Sequence, residues 1–405
     1  MWILQLAWKN LWRNRNRTTI TMASIFFAVV LSVLTSSIKT GIFDNLIKNM
    51  VSFYSGYIQI HKQGYWDEQI LDNSFEISAA LEKKLLNDTR ITGITPRLES
   101  FALASAGNIT KGCLVVGIDP QKEDRITRLS NKLVAGKYLQ AGDNTVLVAE
   151  GLLKRLQLQL HDTLILIGQG YHGATAAGKY VIGGVAKFGS PDLNDRLLYL
   201  PLAAAQVLFE APGILTSYVL SIQDPKQVNT ISTDAQQLAG SGYEVMSWEQ
   251  MMPDIKQHIK TDSSNMVVIQ LILYLLISFG IFGTLLMMMA ERRFELGMLV
   301  AIGMRKSKLA VLLLSESILT VLAGCLLGIL ASMPLVWYLQ KKPIRITGNA
   351  AKAYERFGFE AVFPASTDSI HFINQGLMVL LIGLVLSLYP VLKVIRLNPV
   401  ISMKK

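Results

Sequence analysis

Charge is scarce in this sequence. Aspartate, glutamate, lysine and arginine make up 17% of its 405 residues, where soluble domains usually carry about 25%. Cysteine is scarcer still: Cys113 and Cys325 are the only two, too few for a disulfide framework and without the spacing of a metal site. The histidines are His61, His161, His172, His258 and His371. No two are four apart and no HExxH occurs, which removes the usual zinc-hydrolase pattern. A G-x-S-x-G elbow is also missing. The net charge of +10 would suit nucleic acid, but no recognition motif accompanies it, so nucleic-acid binding is set aside.

Apolar residues fill the space that charge leaves. They make up 51% of the chain, and mean hydropathy is +0.36. Four runs reach the roughly 20 residues that cross a ~30 Å hydrocarbon core. Thr18–Ile38, Met266–Ala290 and Phe372–Leu392 are uncharged, and Leu309–Leu339 holds only Glu316. The first run is too long for a signal peptide's apolar core and lacks a small-residue cleavage site, so it is expected to stay as a span. Lys9, Arg13, Arg15 and Arg17 precede span one. Arg292, Arg293, Arg305, Lys306 and Lys308 separate spans two and three, and Lys393, Arg396, Lys404 and Lys405 follow span four. With four spans these clusters share one side, which the positive-inside bias makes cytoplasmic. The opposite loop 340–371 also carries Lys341, Lys342, Arg345, Lys352 and Arg356, which weakens the bias without reversing it. Cys113 and Cys325 then fall in different compartments, and no disulfide is expected between them.

The layout expected from these runs has nine parts. An interfacial helix covers 1–17, with Leu4, Trp8, Leu11 and Trp12 on one face and Gln5, Lys9 and Asn10 opposite, suited to the headgroup zone. Spans cover 18–38, 266–290, 309–339 and 372–392. An extracytoplasmic domain covers 39–265, a cytoplasmic segment 291–308, an external loop 340–371 and a cytoplasmic tail 393–405. Within 39–265, alternation places strands at Tyr57–His61, Ile91–Thr95, Ser217–Gln223 and Tyr243–Ser247, with helices near Glu76–Leu86 and Pro225–Leu238. Further strands fall at Cys113–Ile118, Thr145–Ala149, Thr163–Ile167, Lys179–Val185 and Arg196–Tyr199. Two strand–helix–strand units, about 39–100 and 215–265, thus flank a β-rich lobe of about 101–214. The fold class is a helical membrane protein with a split α+β external domain.

Some motifs need weighing. Gly173 to Lys179 fits the start of a phosphate loop, but Tyr180 stands where Ser or Thr must hold magnesium, and the segment runs into a strand. A flexible Gly/Ala loop is the better reading, so ATP hydrolysis is not expected of this chain. Glu316 is the one charge within a span, and intramembrane carboxylates are functional candidates. Here helix packing or coupling is favoured over proton relay. Gly324 and Gly328 form a GxxxG, which allows close helix approach without proving a dimer. In the segment 291–308, Glu291 and Glu295 are four apart, with Leu296, Leu299 and Val300 supplying an apolar side. A bare stop-transfer signal would need only Arg292 and Arg293. The chain is expected to leave the membrane, pass through a separate short helix and re-enter.

The pattern E-R-x-x-E-x-G-x-L-x-A-x-G from Glu291 through Arg292, Glu295, Gly297, Leu299 and Ala301 to Gly303 resembles the signature of FtsX-like (MacB/LolC/LolE-type) permeases of ABC transporters. The resemblance covers the whole chain. LAWKNLWRNRNRT, SGYIQIHKQGYWDE and the paired Pro390 and Pro399 of the C-terminal tail are similar to the lipoprotein-releasing group. It implies a coupling surface at Glu291, Arg292, Arg293, Glu295, Gly297, Leu299, Ala301 and Gly303. It also implies a cytoplasmic ATPase homodimer holding the ATP and magnesium, a second permease subunit, membrane lipids, a lipoprotein and its periplasmic carrier, and a bacterial inner-membrane location. This chain itself would hold no cofactor or metal. A MacB-type exporter would carry a fused ATPase domain, and none is expected within these residues. Two alternatives stay open: an FtsX-like regulator of a cell-wall hydrolase, and an efflux permease for peptides or antibiotics.

Overall fold

A computed structural model describes residues 2–13, 15–349, 351, 354, 362–396 and 398. The expectations attached to Lys352, Arg356, Pro399, Lys404 and Lys405 lie outside the described residues. In chain order, helices α1 (Trp2–Arg13) and α2 (Arg15–Met50) come first. Strands β1 (Ile58–Lys62) and β2 (Phe75–Glu76) and helix α3 (Ala79–Leu86) follow. Next come β3 (Ile91–Ala106), β4 (Ile109–Ile118) and α4 (Pro120–Thr127). The middle holds β5 (Leu133–Gly136), β6 (Thr145–Ala149), β7 (Thr163–Gln169), β8 (Thr175–Ala186) and β9 (Leu197–Pro201). Then β10 (Ile214–Leu215), β11 (Ser217–Ile222), α5 (Val228–Ala239) and β12 (Tyr243–Ser247) return toward the helices. Three long helices close the chain: α6 (Pro253–Ala301), α7 (Lys306–Lys341) and α8 (Ser369–Ile395).

The chain divides into two compact units, one of 1–45, 259–345 and 362–405 and one of 46–258 with 346–361. The first is helical, and α2, α6, α7 and α8 are each long and apolar enough to cross a membrane. Its core joins Ile25, Val29 and Val33 of α2, Ile281 and Leu285 of α6, Val321 and Cys325 of α7, and Phe372 and Val379 of α8. Close packing depends on glycine. A Cβ on Gly324 would come within 2.9 Å of Ile25, and one on Gly328 within 2.7 Å of Val29, so this GxxxG seats α7 on α2 within one chain.

Helix ends differ from the expected span ends. The first span was bounded at residue 38, yet α2 continues to Met50. A bilayer limits the apolar stretch and not the helix, and nothing in KTGIFDNLIKNM breaks the backbone pattern. The separate short helix expected after residue 290 is likewise corrected. Helix α6 runs without interruption through Glu291 to Ala301. The segment contains no proline, and one glycine costs a helix only about 1 kcal/mol. The turn comes later, at Gly303 with φ +103°.

The second unit is built on one sheet. Its strand order is β12-β1-β11-β3-β4-β9-β6-β8-β5, with β7 pairing both β3 and β8. Pairs β4–β9 and β6–β8 are parallel, and the other ladders are antiparallel. The boundary expected near residue 100 falls inside β3, whose first half pairs β11 and whose second half pairs β4 and β7. The flanking layers and the central lobe therefore share a strand. Leu98, Val115, Val116, Val148, Leu166, Ile182 and Leu198 form its core.

Candidate functional site: a buried charge network at the end of α6

Helix α6 buries Ile281, Leu285, Met289, Arg292, Leu296 and Gly297. From Ile281 to Leu296 the steps of three and four define one helical stripe, and Arg292 sits on it. On α7 the stripe Leu309, Leu312, Leu313, Glu316, Ser317 and Thr320 is buried in the same way. The two stripes face each other, so the one cation of the first meets the one anion of the second. The Arg292 guanidinium donates from Nη1 to Glu316 Oε2 and from Nη2, at 3.4 Å, to Glu316 Oε1. Side-chain exposures are 7% and 2%, which makes this an ion pair closed to solvent.

Helix α1 completes the network. Asn10 Nδ2 donates to Glu316 Oε1 at 2.7 Å, and Ala7 is fully buried beside Met289, Leu296 and Leu309. Glu295, three residues after Arg292, approaches Arg292 Nε at 3.6 Å and accepts from Arg13 Nη2 at 3.1 Å. Exposure rises outward: Glu295 is 44% exposed and Arg13 61%. One chain of charges thus runs from the buried Glu316 to the exposed Arg13, joining α7, α6 and α1. Breaking a buried pair by removing one partner typically costs about 3–5 kcal/mol, because the other charge is left unpaired.

The residues expected at the coupling surface separate into two sets. Glu291, Arg293, Ala301 and Gly303 are exposed, Glu295 and Leu299 are half-buried, and Gly297 is buried. Arg292 is the correction. It was expected on the docking surface, but it turns inward and holds Glu316. Both Glu316 oxygens are occupied, and its backbone carbonyl accepts from Thr320 Oγ1 at 2.8 Å. The roles of Asn10 and Arg13 in this network were missed. The stripe positions of Arg292 and Glu316 were readable, but nothing local in the sequence announces that α1 folds back over them. Exposed Trp8 and Trp12, their rings edge to face at 6.1 Å, leave α1 with an amphipathic outer side. Among the described residues no cluster of His, Cys, Asp or Glu could hold a metal.

Comparison with known proteins agrees with this layout. Residues 18–238 match the MacB-like periplasmic core domain, and residues 267–399 match the FtsX-like permease C-terminal domain. The lipoprotein-releasing system transmembrane protein LolE of Haemophilus influenzae is 21% identical over 338 residues, covering 79% of each chain. LolC of Neisseria meningitidis is 20% identical over 330 residues, covering 79% of this chain and 77% of its own length. The macrolide export ATP-binding/permease protein MacB of Escherichia coli is 21% identical over 414 residues, covering 99% of this chain and 60% of its own length. Four apolar helices, a large β-rich domain between the first two, and two matching domain families together make this chain an ABC transporter permease, a member of the FtsX-like family with a MacB-like periplasmic core domain.

Proposed function

We propose that this permease is a mechanical transmitter, driven by a separate cytoplasmic ATPase homodimer and acting through its extracytoplasmic domain on a lipoprotein or another hydrophobic substrate of the bacterial inner membrane. The observation that carries this reading is the Arg292–Glu316 pair. Any push on the exposed residues Glu291 and Arg293 reaches α7 through a buried, doubly bonded ion pair, and reaches α1 through Asn10 and Glu295. Such a junction moves as a unit. The basic clusters support cytoplasmic termini. A second permease subunit suits α6, whose apolar residues are far less covered within the chain than those of α2. ATP and magnesium belong to the ATPase in this scheme.

Release of lipoproteins to a periplasmic carrier is favoured by similarity to LolE and LolC across more than three quarters of the chain. Efflux of peptides or antibiotics is the second reading, favoured by the MacB match along almost all of it.

Reconstitution with its ATPase tests the transmission. The purified permease alone should not turn over ATP, while the complex should. Glu295→Lys or Gly297→Leu should abolish substrate-dependent turnover. Lys179→Ala should leave it unchanged, because the expected flexible loop is in fact strand β8, where Lys179 is exposed and pairs with Ile165 of β7. Loss of turnover from Lys179→Ala with full activity in Glu295→Lys would place the working site elsewhere.

A further inference from the structure

Within the second unit, a cavity of about 180 Å³ is lined by Tyr54, Gln59, His61, Tyr65, Trp66 and Glu99, with Met251 and Met252 among the remaining walls. It is too small for a drug-sized ligand, whose pockets run from about 300 Å³, and larger than a bare ion needs. Beside the hydroxyl and indole donors of Tyr54, Tyr65 and Trp66 it offers several acceptors. His61 is 1% exposed, and its Nδ1 lies 2.9 Å from the Thr216 carbonyl. That contact requires the proton on Nδ1, so Nε2 carries a lone pair, and Nε2 has no partner among the described residues. Burial holds the His61 pKa below its ordinary value, which keeps that lone pair free at neutral pH. Gln59 donates its amide to the Ser55 carbonyl at 2.6 Å, leaving its own side-chain oxygen as an acceptor.

Charge at the cavity is negative. Arg97 is fully buried, and it donates to both oxygens of Glu123 at 3.0 and 2.6 Å. Glu99 touches the same guanidinium at 3.4 Å and keeps 13% exposure. Glu99 is the more weakly held of this arginine's two carboxylates, with the longer contact and partial exposure. Glu244 adds to this field, accepting from the Gly64 and Trp66 backbones at 3.2 and 2.8 Å and so fixing the Trp66 side of the cavity. Aromatic faces enclose the rest. His61 stacks on Tyr65 with centroids 4.9 Å apart and lies 5.6 Å from the Trp66 ring.

We propose that this cavity binds a primary alkylammonium group. The three N–H donors of an ammonium match Glu99, His61 Nε2 and the Gln59 oxygen. Aromatic faces attract a cation through the ring quadrupole, and the Met251 and Met252 thioethers suit a short alkyl stem. A carboxylate or phosphate would instead bring a second negative charge against Glu99. The ammonium can come from a free amine or from a lysine side chain.

The full chain in detergent micelles, carrying ¹³C-methyl methionine, separates these outcomes. n-Butylammonium or Nα-acetyl-lysine-methylamide should shift the Met251 and Met252 methyl signals saturably, whereas n-butanol and butyrate should not. The tighter of the two amines identifies the source. Glu99→Gln should weaken binding at least tenfold and Trp66→Leu about threefold. Equal shifts from n-butanol, no response to either amine, or unchanged affinity in a folded Glu99→Gln protein would each overturn the proposal. The ligand series on the unaltered chain decides the matter even if a variant fails to fold.

Discussion

Each of the two units contains a buried arginine–glutamate pair, and the two pairs differ in what surrounds them. Arg97 and Glu123 are both wholly enclosed. Thr127 Oγ1 donates to Glu123 at 3.0 Å, and the Arg97 guanidinium lies 4.9 Å from the Tyr54 ring. That arrangement is sealed on most sides and ties α4 to β3. Arg292 and Glu316 are nearly as buried, but their network leads outward through Glu295 to Arg13. The Arg97 pair reaches outward only to Glu99, at 3.4 Å and 13% exposed, and so acts mainly to hold elements together. A pair with an open end can also feel what binds at the surface. Geometry of the central bond is similar in both, so the difference in role comes from the neighbours.

Removing one partner should break the sealed pair most severely. Arg97→Leu removes the guanidinium that bonds both oxygens of buried Glu123 and should cost about 3–5 kcal/mol. At roughly 2–4 °C per kcal/mol for a domain of this size, the unfolding midpoint of the full chain should fall by about 10 °C. Glu316→Leu should destabilise by a similar or slightly smaller amount, since Arg292 keeps Glu295 within reach. The double variant Arg292→Leu with Glu316→Leu sharpens the contrast. Its stability should recover most of the loss, because apolar replacement of a buried pair is often neutral, while ATP-coupled activity stays lost. Recovery of both would show the pair to be packing alone.

Smaller effects follow at the margins. Gly328→Leu must displace Val29 and should cost about 1–3 kcal/mol by overpacking, read as a lower melting temperature. Acid should act on the second unit through His61. Its folded-state pKa lies below the ordinary 6.5, so the unfolded chain takes up the proton more readily. The stability it contributes is fully present above pH 6.5 and declines as pH falls through that value. His61→Gln should flatten this part of a stability–pH profile. Arg13→Ala removes only a solvent-exposed ion pair and should change stability by less than about 1 kcal/mol.

The apolar runs made the four long helices legible, because bilayer-length hydrophobicity is a local property. Strand positions were also legible wherever alternation was clean, as in Tyr57–His61. Residues 96–106 were not. Pro96 argues against a strand, yet it lies where β3 has β11 on one side and the β4 ladder has yet to begin at Arg97. At the candidate site, the residues Glu291–Gly303 stood out by charge. The charges read as a helix exit, however, and the backbone of α6 does not respond to charge. Arg292 could have been paired with Glu316 by asking which charged residues share a stripe with buried leucines. The closure by Asn10 could not, since contact between residues 306 positions apart depends on how α1 folds back.

Strand β3 has a consequence for force. It meets β4 in ten consecutive antiparallel pairs, from Arg97–Ile118 to Ala106–Ile109, while its other edge is held by β11 and then by β7. Tension along such a strand loads these rungs together in shear, whereas a pull across it would open them one at a time. A domain organised around β3 is therefore stiffest along that axis. Displacement applied at one end of the strand arrives at the other with little lost to stretching.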